Sequence, residues 1–251
     1  MATEPITAVK MKTTNKTGDA KKYTCIFFDL DHTLWDYETN SRDTLVELYL
    51  GYDLVSKGVP DADSFLDRFK VVNTELWYSY DRGLIDSTVI RRERFKQILE
   101  PFGAYEQSLS DDLSRDYLDI CPKKSNLMPH AKEVLDYLVT KQYRLTVITN
   151  GFEEIQHQKL TAGNLYPYFD HIITSQKAGH RKPAREIFDF ALQLNGIKNH
   201  QATMIGDNLI TDIGGARAAS IDAIFFNSEK ITHTETLACE IDSLYELNAM
   251  L

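Results

Sequence analysis

Two aspartates stand two residues apart at the end of the first apolar run of the chain. The run Tyr23–Phe28 reads YTCIFF and is followed by Asp29 and Asp31, with Thr33 two residues further on. Residues two apart in an extended chain project to the same side, so we expect the two carboxylates to lie close together. Removing such a pair from water is costly unless a cation or a reaction requires it. By itself the pair is weak evidence, because many Asp-x-Asp pairs are ordinary loop acids.

Polar residues of complementary chemistry follow the later apolar runs. Thr149 and Asn150 follow the second run and offer a hydroxyl and backbone N–H groups to an oxyanion. Lys182 follows the loop after the third run, and Asp207 and Asp212 follow the fourth. An acidic pair, a hydroxyl, a lysine and a second acidic pair, each placed after an apolar run, are hard to obtain by accident. The set is therefore a specific signal of catalysis.

Five short apolar runs, rich in β-branched and aromatic residues, must position these side chains. Continuously apolar runs of this length are typical of strands that are buried on both faces, and helical patterns lie between the later ones. This alternation predicts an α/β fold with a Rossmann-like parallel sheet core, helices on both faces and chemistry at the carboxyl ends of the strands. The predicted strands are Tyr23–Phe28, Arg144–Ile148, His171–Thr174, Ala202–Ile205 and Ala223–Phe226, and the predicted helices are Pro129–Lys141, Phe152–Ala162, Ala184–Asn195 and Asp212–Ser220.

Residues 36–124 interrupt this alternation with helical patterns alone. We expect them to form an inserted all-helical cap domain, a lid over the strand ends, with residues 23–35 and 125–251 as the α/β core. Residues 1–22 are rich in Lys and Thr and are expected to be a disordered tail. The predicted helices of the cap are Asn40–Lys57, Asp63–Arg82, Ser87–Phe102 and Ser108–Ile120.

The net charge and the cysteine content limit the classes of partner and the cellular compartment that we expect. The net charge of −9 disfavours a nucleic-acid polymer, but a small anionic substrate can bind beside a divalent metal. The three cysteines, Cys25, Cys121 and Cys239, are widely spaced and odd in number, which favours reduced thiols. No apolar run approaches the roughly 18 residues that span a bilayer, and the N-terminus lacks a secretory signal. We therefore expect a cytoplasmic protein without a membrane partner, as a monomer or weak homodimer.

In their order along the chain, the polar residues resemble the four motifs of the haloacid dehalogenase-like (HAD) hydrolases. Those motifs are Asp-x-Asp-x-Thr, a Thr or Ser that ends a strand, a Lys, and Gly-Asp-x-x-x-x-Asp. The resemblance covers the chain from Tyr23 to Leu251, and the inserted helices correspond to the family's cap between the first two motifs. The motif residues here are Asp29, Asp31, Thr33, Thr149, Lys182, Asp207 and Asp212.

Several stretches are similar to the pyrimidine 5′-nucleotidase branch of this family. The sequence departs from the family pattern at His180-Arg181, where small or aliphatic residues are common, which changes the charge near the site. It also departs at Ala219-Ser220, where Ala-Gly is usual, which affects a helix terminus. The similar stretches are Leu76-Trp77, Ile148–Phe152, Lys182-Pro183 and Glu186–Leu192.

The resemblance implies a Mg²⁺ cofactor and a covalent aspartyl-phosphate intermediate. Asp29 would bind the metal with one carboxylate oxygen and attack phosphorus with the other. The main-chain carbonyl of Asp31 and the carboxylate of Asp207 would be the other metal ligands from the protein, in keeping with the oxygen ligands that Mg²⁺ prefers. The Asp31 carboxyl would protonate the leaving group and then deprotonate the hydrolytic water. Because a halide leaves without a proton, an acid at this position favours phosphoryl transfer over dehalogenation.

The resemblance also implies residues for the phosphate and for the leaving group. Thr149, Asn150 and Lys182 would bind the non-bridging oxygens, and Lys182 would neutralise the charge that develops on them. Asp212 would orient Lys182 or a metal-bound water. Aromatic and arginine side chains of the cap suit a nucleotide, although aromatic residues at helical spacing are more often core. The cap residues we single out are Trp77, Arg91 and Phe95.

The expected activity is that of a Mg²⁺-dependent phosphomonoesterase acting on a small phosphorylated metabolite, with a pyrimidine nucleoside 5′-monophosphate as the leading substrate. A sugar-phosphate phosphatase or a phosphomutase of the same superfamily is the alternative, because the fold alone does not choose between them. A non-catalytic binding protein on the same scaffold is disfavoured, because the whole set of acids is intact.

Overall fold

The central strand of the sheet, β1 (Cys25–Phe28), consists of four buried residues and pairs in parallel with a neighbour on each side. The remaining strands are β2 (Arg144–Thr149), β3 (His171–Thr174), β4 (Ala202–Gly206), β5 (Asp222–Phe226) and β6 (Glu240–Ile241). This computed structural model describes residues 22–251, in which the six strands form one parallel sheet in the order β3-β2-β1-β4-β5-β6. The predicted α/β fold is confirmed. The short β6 carries no pattern that predicts it, and the expected tail over residues 1–22 lies outside the described residues except for Lys22.

Four helices between β1 and β2 form the segment that we call the helical block, residues 37–123. Asp36, Asp61 and Asp86 begin three of them, because each aspartate side chain accepts a hydrogen bond from a backbone N–H of the first helical turn. The first helix ends earlier than its predicted end at Lys57, and Asp53 follows it with a left-handed φ of 48°. The helices are α1 (Tyr37–Gly51), α2 (Ala62–Asp81), α3 (Ser87–Leu99) and α4 (Gln107–Ile120).

Aromatic side chains fill the interior of the helical block. Phe95 lies 6.3 Å from Phe65 and 5.9 Å from Tyr117 between ring centroids. Phe69 packs 5.2 Å from Tyr117. None of the helices within residues 22–251 has both the length and the apolar character that crossing a membrane requires.

Helices cover both faces of the sheet, because the side chains of β1 alternate between two hydrophobic cores. Cys25 and Phe27 pack with residues of the helices after β3 and β4, whereas Ile26 and Phe28 pack with the helices that flank β2 and with the C-terminal helix. These helices are α5 (Ala131–Thr140), α6 (Glu153–Ala162), α7 (Ser175–Ala178), α8 (Arg185–Asn195), α9 (Gly215–Ala218) and α10 (Leu247–Met250).

The helix expected over Asp212–Ser220 begins earlier and starts irregularly. The side chain of Asn208 accepts hydrogen bonds from two backbone N–H groups of the next turn, and a π-helical turn, Leu209–Gly214, precedes α9. Single π turns inside helices are frequent at functional sites. This one carries Asp212 back toward the end of β4, where Asp212 accepts a hydrogen bond from the backbone of Asn208.

The chain enters and leaves the helical block at one place. The backbone N–H of Asp36 donates to the Asn126 carbonyl (3.1 Å), and the backbone N–H of Met128 donates to the Leu34 carbonyl (3.0 Å). The side-chain amide of Asn40 donates to the Asn126 carbonyl (2.9 Å), and its oxygen accepts from the side chain of Asn126 (2.8 Å). We call this set of contacts the junction, because it joins the two chain crossings side by side.

Candidate active site

Three motif residues meet at the carboxyl edge of the sheet, because β1 lies between β2 and β4. Asp29 directly follows β1, Thr149 is the last residue of β2, and Asp207 directly follows β4. The backbone N–H of Asp29 donates to the Ile205 carbonyl (2.9 Å), which fixes Asp29 to the sheet. Chain order reverses between β1 and β4, and ligands of open α/β sheets bind at such a switch point. A cavity of about 840 Å³ opens there, lined by strand ends and by the helical block.

Lys182 lies between two carboxylates and is almost completely buried, with 2% of its side chain exposed. Its ammonium is 2.7 Å from Oδ1 of Asp29 and donates to Oδ1 of Asp212 at 2.6 Å. Burial by itself lowers the pKa of Lys182, but the two carboxylates outweigh burial and raise that pKa above its ordinary value. Lys182 is therefore a fixed positive charge beside Asp29, and the fully buried Asp212 holds it in place.

Asp29, Asp207 and Asp212 form a cluster in which one carboxylate oxygen of each lies within 4.8 Å of the others. Burial and neighbouring carboxylates raise the pKa of Asp29 to about 7 and that of Asp207 to about 6. Both of these residues line the cavity, and neither Oδ2 atom has a hydrogen-bond partner within the described chain. Carboxylates that line a cavity and are only partly neutralised by protein partners fit a hard divalent cation such as Mg²⁺.

The three carboxylates are not equally free to bind a cation. Both oxygens of Asp212 are occupied, since Oδ1 accepts from Lys182 (2.6 Å) and Oδ2 accepts from the backbone N–H of Asn208 (3.1 Å). Asp207 accepts one hydrogen bond through Oδ1, from the Thr33 hydroxyl at 2.9 Å. Asp29 and Asp207 are therefore the side chains that could hold a metal, and Thr33 orients the second of them.

Two polar residues of α6 hold Asp31, and the sequence pattern does not single them out. The Lys159 ammonium donates to Oδ1 of Asp31 (2.6 Å), and the Gln156 amide donates to Oδ2 (2.9 Å). Burial by itself raises the pKa of Asp31, but Lys159 and Gln156 outweigh burial and lower it below its ordinary value. Both side chains are buried beside Ile155 and Leu160. A lysine and a glutamine three residues apart on the buried face of a helix are the signal that could identify them.

Thr149 and Asn150 use their side chains in different ways. The Thr149 hydroxyl oxygen accepts from the Gln156 amide (2.8 Å) and from a backbone N–H (3.0 Å), so its own proton is left to donate elsewhere. The Asn150 oxygen accepts from the Lys182 backbone N–H (2.8 Å). The Asn150 amide donates to the Lys182 carbonyl (2.9 Å) and to Oδ1 of Asp81 in α2 (2.8 Å). The Asn150 side chain therefore fixes the loop that carries Lys182, which leaves only its backbone for a phosphate.

The three residues singled out in the helical block have different surroundings. Trp77 lines the cavity, and its ring is stacked on Phe152 with centroids 5.5 Å apart. Arg91 forms an ion pair with Glu154 and lies outside the cavity lining. Phe95 is 1% exposed in the aromatic interior of the block and does not reach the cavity. Two polar residues of the block that do line it are Asn73 and Arg94.

Known proteins of similar sequence and structure place the chain in a family. The pyrimidine 5′-nucleotidase YjjG of Escherichia coli is 29% identical over 92% of this chain and 98% of that protein. The ribulose-1,5-bisphosphate 5-phosphatase of Halopiger xanaduensis is 31% identical over 85% of this chain and 89% of that protein. The structure of the HAD-hydrolase YfnB from Bacillus subtilis, with bound magnesium, superposes with a TM-score of 0.81 at 24% identity. That superposition covers 92% of this chain and 99% of YfnB, and it shows the shared fold.

A family model described as haloacid dehalogenase-like hydrolase matches residues 83–226, more than half of the chain. The match begins in the helical block and ends with β5, so it includes the segments that carry Thr149, Lys182 and Asp207. Together with the relatives that match over most of their length, this shows that the chain belongs to the haloacid dehalogenase-like hydrolase family.

Proposed function

We propose that this hydrolase is a Mg²⁺-dependent phosphomonoesterase that acts through an aspartyl-phosphate on Asp29. Its proposed substrate is a pyrimidine nucleoside 5′-monophosphate. The observation that carries the proposal is the arrangement around Asp29, whose Oδ1 atom is held by Lys182 while its Oδ2 atom has no partner within the described chain. Similarity to two pyrimidine 5′-nucleotidases, YjjG and PynA of Streptococcus pneumoniae, supports the choice of substrate.

The first proposed step transfers the phosphoryl group to Asp29. Oδ2 of Asp29 forms a bond to phosphorus as the bond from phosphorus to the leaving oxygen breaks, and Asp31 gives that oxygen a proton. The Thr149 hydroxyl donates to a non-bridging oxygen, and Lys182 neutralises the charge on the transferring group. A Mg²⁺ ion held by Asp207, the Asp31 carbonyl and the Asp29 oxygen that does not attack would supply further charge neutralisation at the phosphate.

The second proposed step hydrolyses the intermediate. Asp31 removes a proton from a water molecule, whose oxygen bonds to phosphorus while the bond from phosphorus to Asp29 breaks. The contacts of Asp31 with Lys159 and Gln156 favour its ionised form, which is the form that accepts this proton. In the first step the negative charge of the bound phosphate raises the pKa of Asp31 and so favours its protonated form, which is the form that donates a proton.

We further propose that the helical block is a cap that closes the cavity over the substrate. Three contacts that it makes with the α/β core away from the junction support this role, because they join side chains and can separate without unfolding either part. Arg91 pairs with Glu154, Trp77 stacks on Phe152, and Asn150 bonds to Asp81. Closure of this kind would exclude bulk water from the first step and position the leaving group.

Release of inorganic phosphate from a panel of phosphomonoesters, with Mg²⁺ and with EDTA, tests the proposal. The panel contains pyrimidine and purine 5′-monophosphates, sugar phosphates and p-nitrophenyl phosphate. Mg²⁺-dependent release led by UMP or dTMP is expected. Release led by a sugar phosphate would support the second candidate, a sugar-phosphate phosphatase, which the similarity to the ribulose-1,5-bisphosphate 5-phosphatase favours. A bisphosphate converted to an isomer without release of phosphate would point to a phosphomutase.

A further inference from the structure

Arg94 in α3 is a buried cation for which the described residues provide no acceptor. The residue is 4% exposed, its Nε atom is buried without a partner, and within residues 22–251 it forms neither an ion pair nor a hydrogen bond. Its guanidinium lies 5.1 Å from the ring centroid of Tyr117 and 5.7 Å from that of Phe69. Arginine stays charged in proteins, and burying a charge without a partner is costly. Because Arg94 lines the cavity, a ligand there can supply the missing acceptor.

Asn73 in α2 lines the same cavity and has a hydrogen-bond acceptor that lacks a donor among the residues that the structure describes. Its side-chain amide donates to the Tyr37 hydroxyl (3.1 Å), but its Oδ1 atom is buried and has no donor within the described chain. The Tyr37 hydroxyl in turn lies 3.1 Å from that of Tyr117. The ring of Tyr117 forms a cation–π contact with Arg94. Asn73 and Arg94 are therefore linked through a hydrogen-bonded pair of tyrosines, because Asn73 contacts Tyr37 and Arg94 contacts Tyr117. One wall of the cavity offers an unused acceptor and a set of unused donors around these two rings.

Aromatic side chains give this part of the cavity a shape that suits a flat ligand. Tyr37, Trp77 and Tyr117 all line it. The orientation of Trp77 is fixed by its stacking on Phe152, at an interplanar angle of 27°. Aromatic rings stack on planar heterocycles, which bury apolar faces and leave polar edges to be recognised.

We propose that Arg94 and Asn73 recognise the edge of a pyrimidine in which a carbonyl oxygen stands beside an N–H, as in uracil and thymine. The carbonyl accepts from Arg94, and the N–H donates to Oδ1 of Asn73. This assignment rests on the proposed phosphomonoesterase activity, since it describes the leaving group of that reaction. A carboxylate or a second phosphate would satisfy Arg94 but would place an anion beside the Asn73 oxygen. Adenine has no carbonyl oxygen for Arg94.

Steady-state kinetics of Arg94→Met and Asn73→Leu test the proposal, with Arg92→Met as the matched control. Arg92 is on the same helix, 64% exposed and paired with Glu93. We expect kcat/KM for UMP to fall about 10- to 100-fold in Arg94→Met, since a hydrogen bond to a charged group is lost. Values for ribose 5-phosphate, which lacks the base, should stay within about twofold of wild type. Asn73→Leu should show the same selective loss, and Arg92→Met no loss with either substrate.

Three outcomes would overturn the proposal. The first is an unchanged kcat/KM for UMP in Arg94→Met, and the second is an equal loss with UMP and ribose 5-phosphate. The third is a larger loss with a sugar bisphosphate than with UMP, which would identify a second anion as the partner of Arg94.

Binding of uridine separates this proposal from the proposed activity, because a nucleoside binds without turnover. Calorimetry with wild type and Arg94→Met is therefore run whether or not phosphate is released. Uridine that binds wild type, but binds Arg94→Met about 10-fold or more weakly, supports the site even if no phosphomonoester is hydrolysed. Absence of uridine binding to the wild-type protein would overturn it even if UMP were hydrolysed.

Discussion

The ammonium of Lys182 lies 2.7 Å from Oδ1 of Asp29, on a side chain that is almost completely shielded from water. In the proposed mechanism this contact leaves Oδ2 of Asp29 as the oxygen that attacks phosphorus, because Oδ1 is held by a positive charge. It also makes the orientation of Asp29 depend on the buried partner that holds Lys182, which is Asp212. The following predictions concern this set of charges and the acid beside it.

Replacing Asp29 with Asn should abolish turnover and leave the fold intact. The amide is close in size to the carboxylate, but it does not form the acyl-phosphate of the proposed mechanism. Phosphate release should fall below a few per cent of wild type, while circular dichroism and Tm stay near their wild-type values. Asp189→Asn is the control, since Asp189 is on the surface and pairs with Arg185. Substantial residual activity in Asp29→Asn would exclude covalent catalysis by this residue.

Replacing Asp31 with Asn should separate the two chemical steps. The variant cannot protonate an alkoxide, so kcat/KM for UMP should fall about 10²- to 10⁴-fold. p-Nitrophenolate leaves without a proton, so the first step with p-nitrophenyl phosphate should survive while hydrolysis of the intermediate is slow. Stopped-flow absorbance should therefore show a burst of nitrophenolate that equals the enzyme concentration. If kcat/KM fell equally with both substrates and no burst appeared, Asp31 would have a structural role and no role in proton transfer.

Replacing Lys182 with Met should destabilise the protein when no metal is added. Removal of the ammonium leaves Asp29 and Asp212 without their shared partner, and breaking a buried ion pair costs about 3–5 kcal/mol. Urea denaturation in EDTA measures the change in the free energy of unfolding. The double variant Lys182→Met/Asp212→Asn should recover part of the loss, because one unpaired charge is removed.

Lys123→Met provides the matched control for the lysine substitution. Its side chain is 59% exposed and pairs with Asp119 on the surface, so the expected change is within about 1 kcal/mol. A loss in Lys182→Met as small as that in Lys123→Met would show that the buried contacts of Lys182 contribute little to stability.

Without metal, Tm should fall as the pH rises from about 5 to 8. The folded state raises the pKa of Asp29 to about 7 and that of Asp207 to about 6, above the ordinary value of 3.8. Between those values the folded state binds more protons than the unfolded state, so the free energy of unfolding decreases with pH. Bound Mg²⁺ needs the ionised carboxylates, so the rise in Tm on adding Mg²⁺ should be larger at pH 8 than at pH 5.

The difference between wild type and Asp29→Asn isolates this effect from other titrating groups. The variant lacks one of the carboxyl groups whose pKa is raised, so its Tm in EDTA should depend less on pH over the same range. The raised pKa of Asp29 would be contradicted if the Tm of the wild type in EDTA rose from pH 5 to pH 8 and did so with the same slope as that of the variant.

The residues that follow strands were predictable from the sequence, because their positions depend on local patterns. Asp29, Thr149 and Asp207 each come directly after or at the end of an apolar run, and the order of the strands brings these ends together. The partners of Asp31 were not predictable in this way. Lys159 and Gln156 reach it from α6, more than a hundred residues along the chain, and only the packing of that helix sets the contact.

Arg91 and Arg94 show the same limit within one helix. They are of the same type and one turn apart in α3, so periodicity does not distinguish them. In the structure, Arg91 pairs with Glu154 at the edge of the helical block, whereas Arg94 lies inside it against Tyr117. The rotation of α3 about its axis decides which arginine faces the cavity. That rotation is set by the aromatic interior, to which Phe95 belongs.

Because of the junction between the two chain crossings, the helical block is an insertion whose two ends lie side by side. The backbone N–H of Asp36 donates to the Asn126 carbonyl, so the two ends of the insertion meet. The distance between the chain segments that enter and leave the sheet therefore does not depend on the length of the insertion. A shorter, longer or unrelated segment grafted between these two residues would leave the strand ends in register. The carboxyl edge of the sheet and the cavity wall that carries Asn73 and Arg94 can therefore diverge independently in evolution, and in the laboratory one can be exchanged while the other is retained.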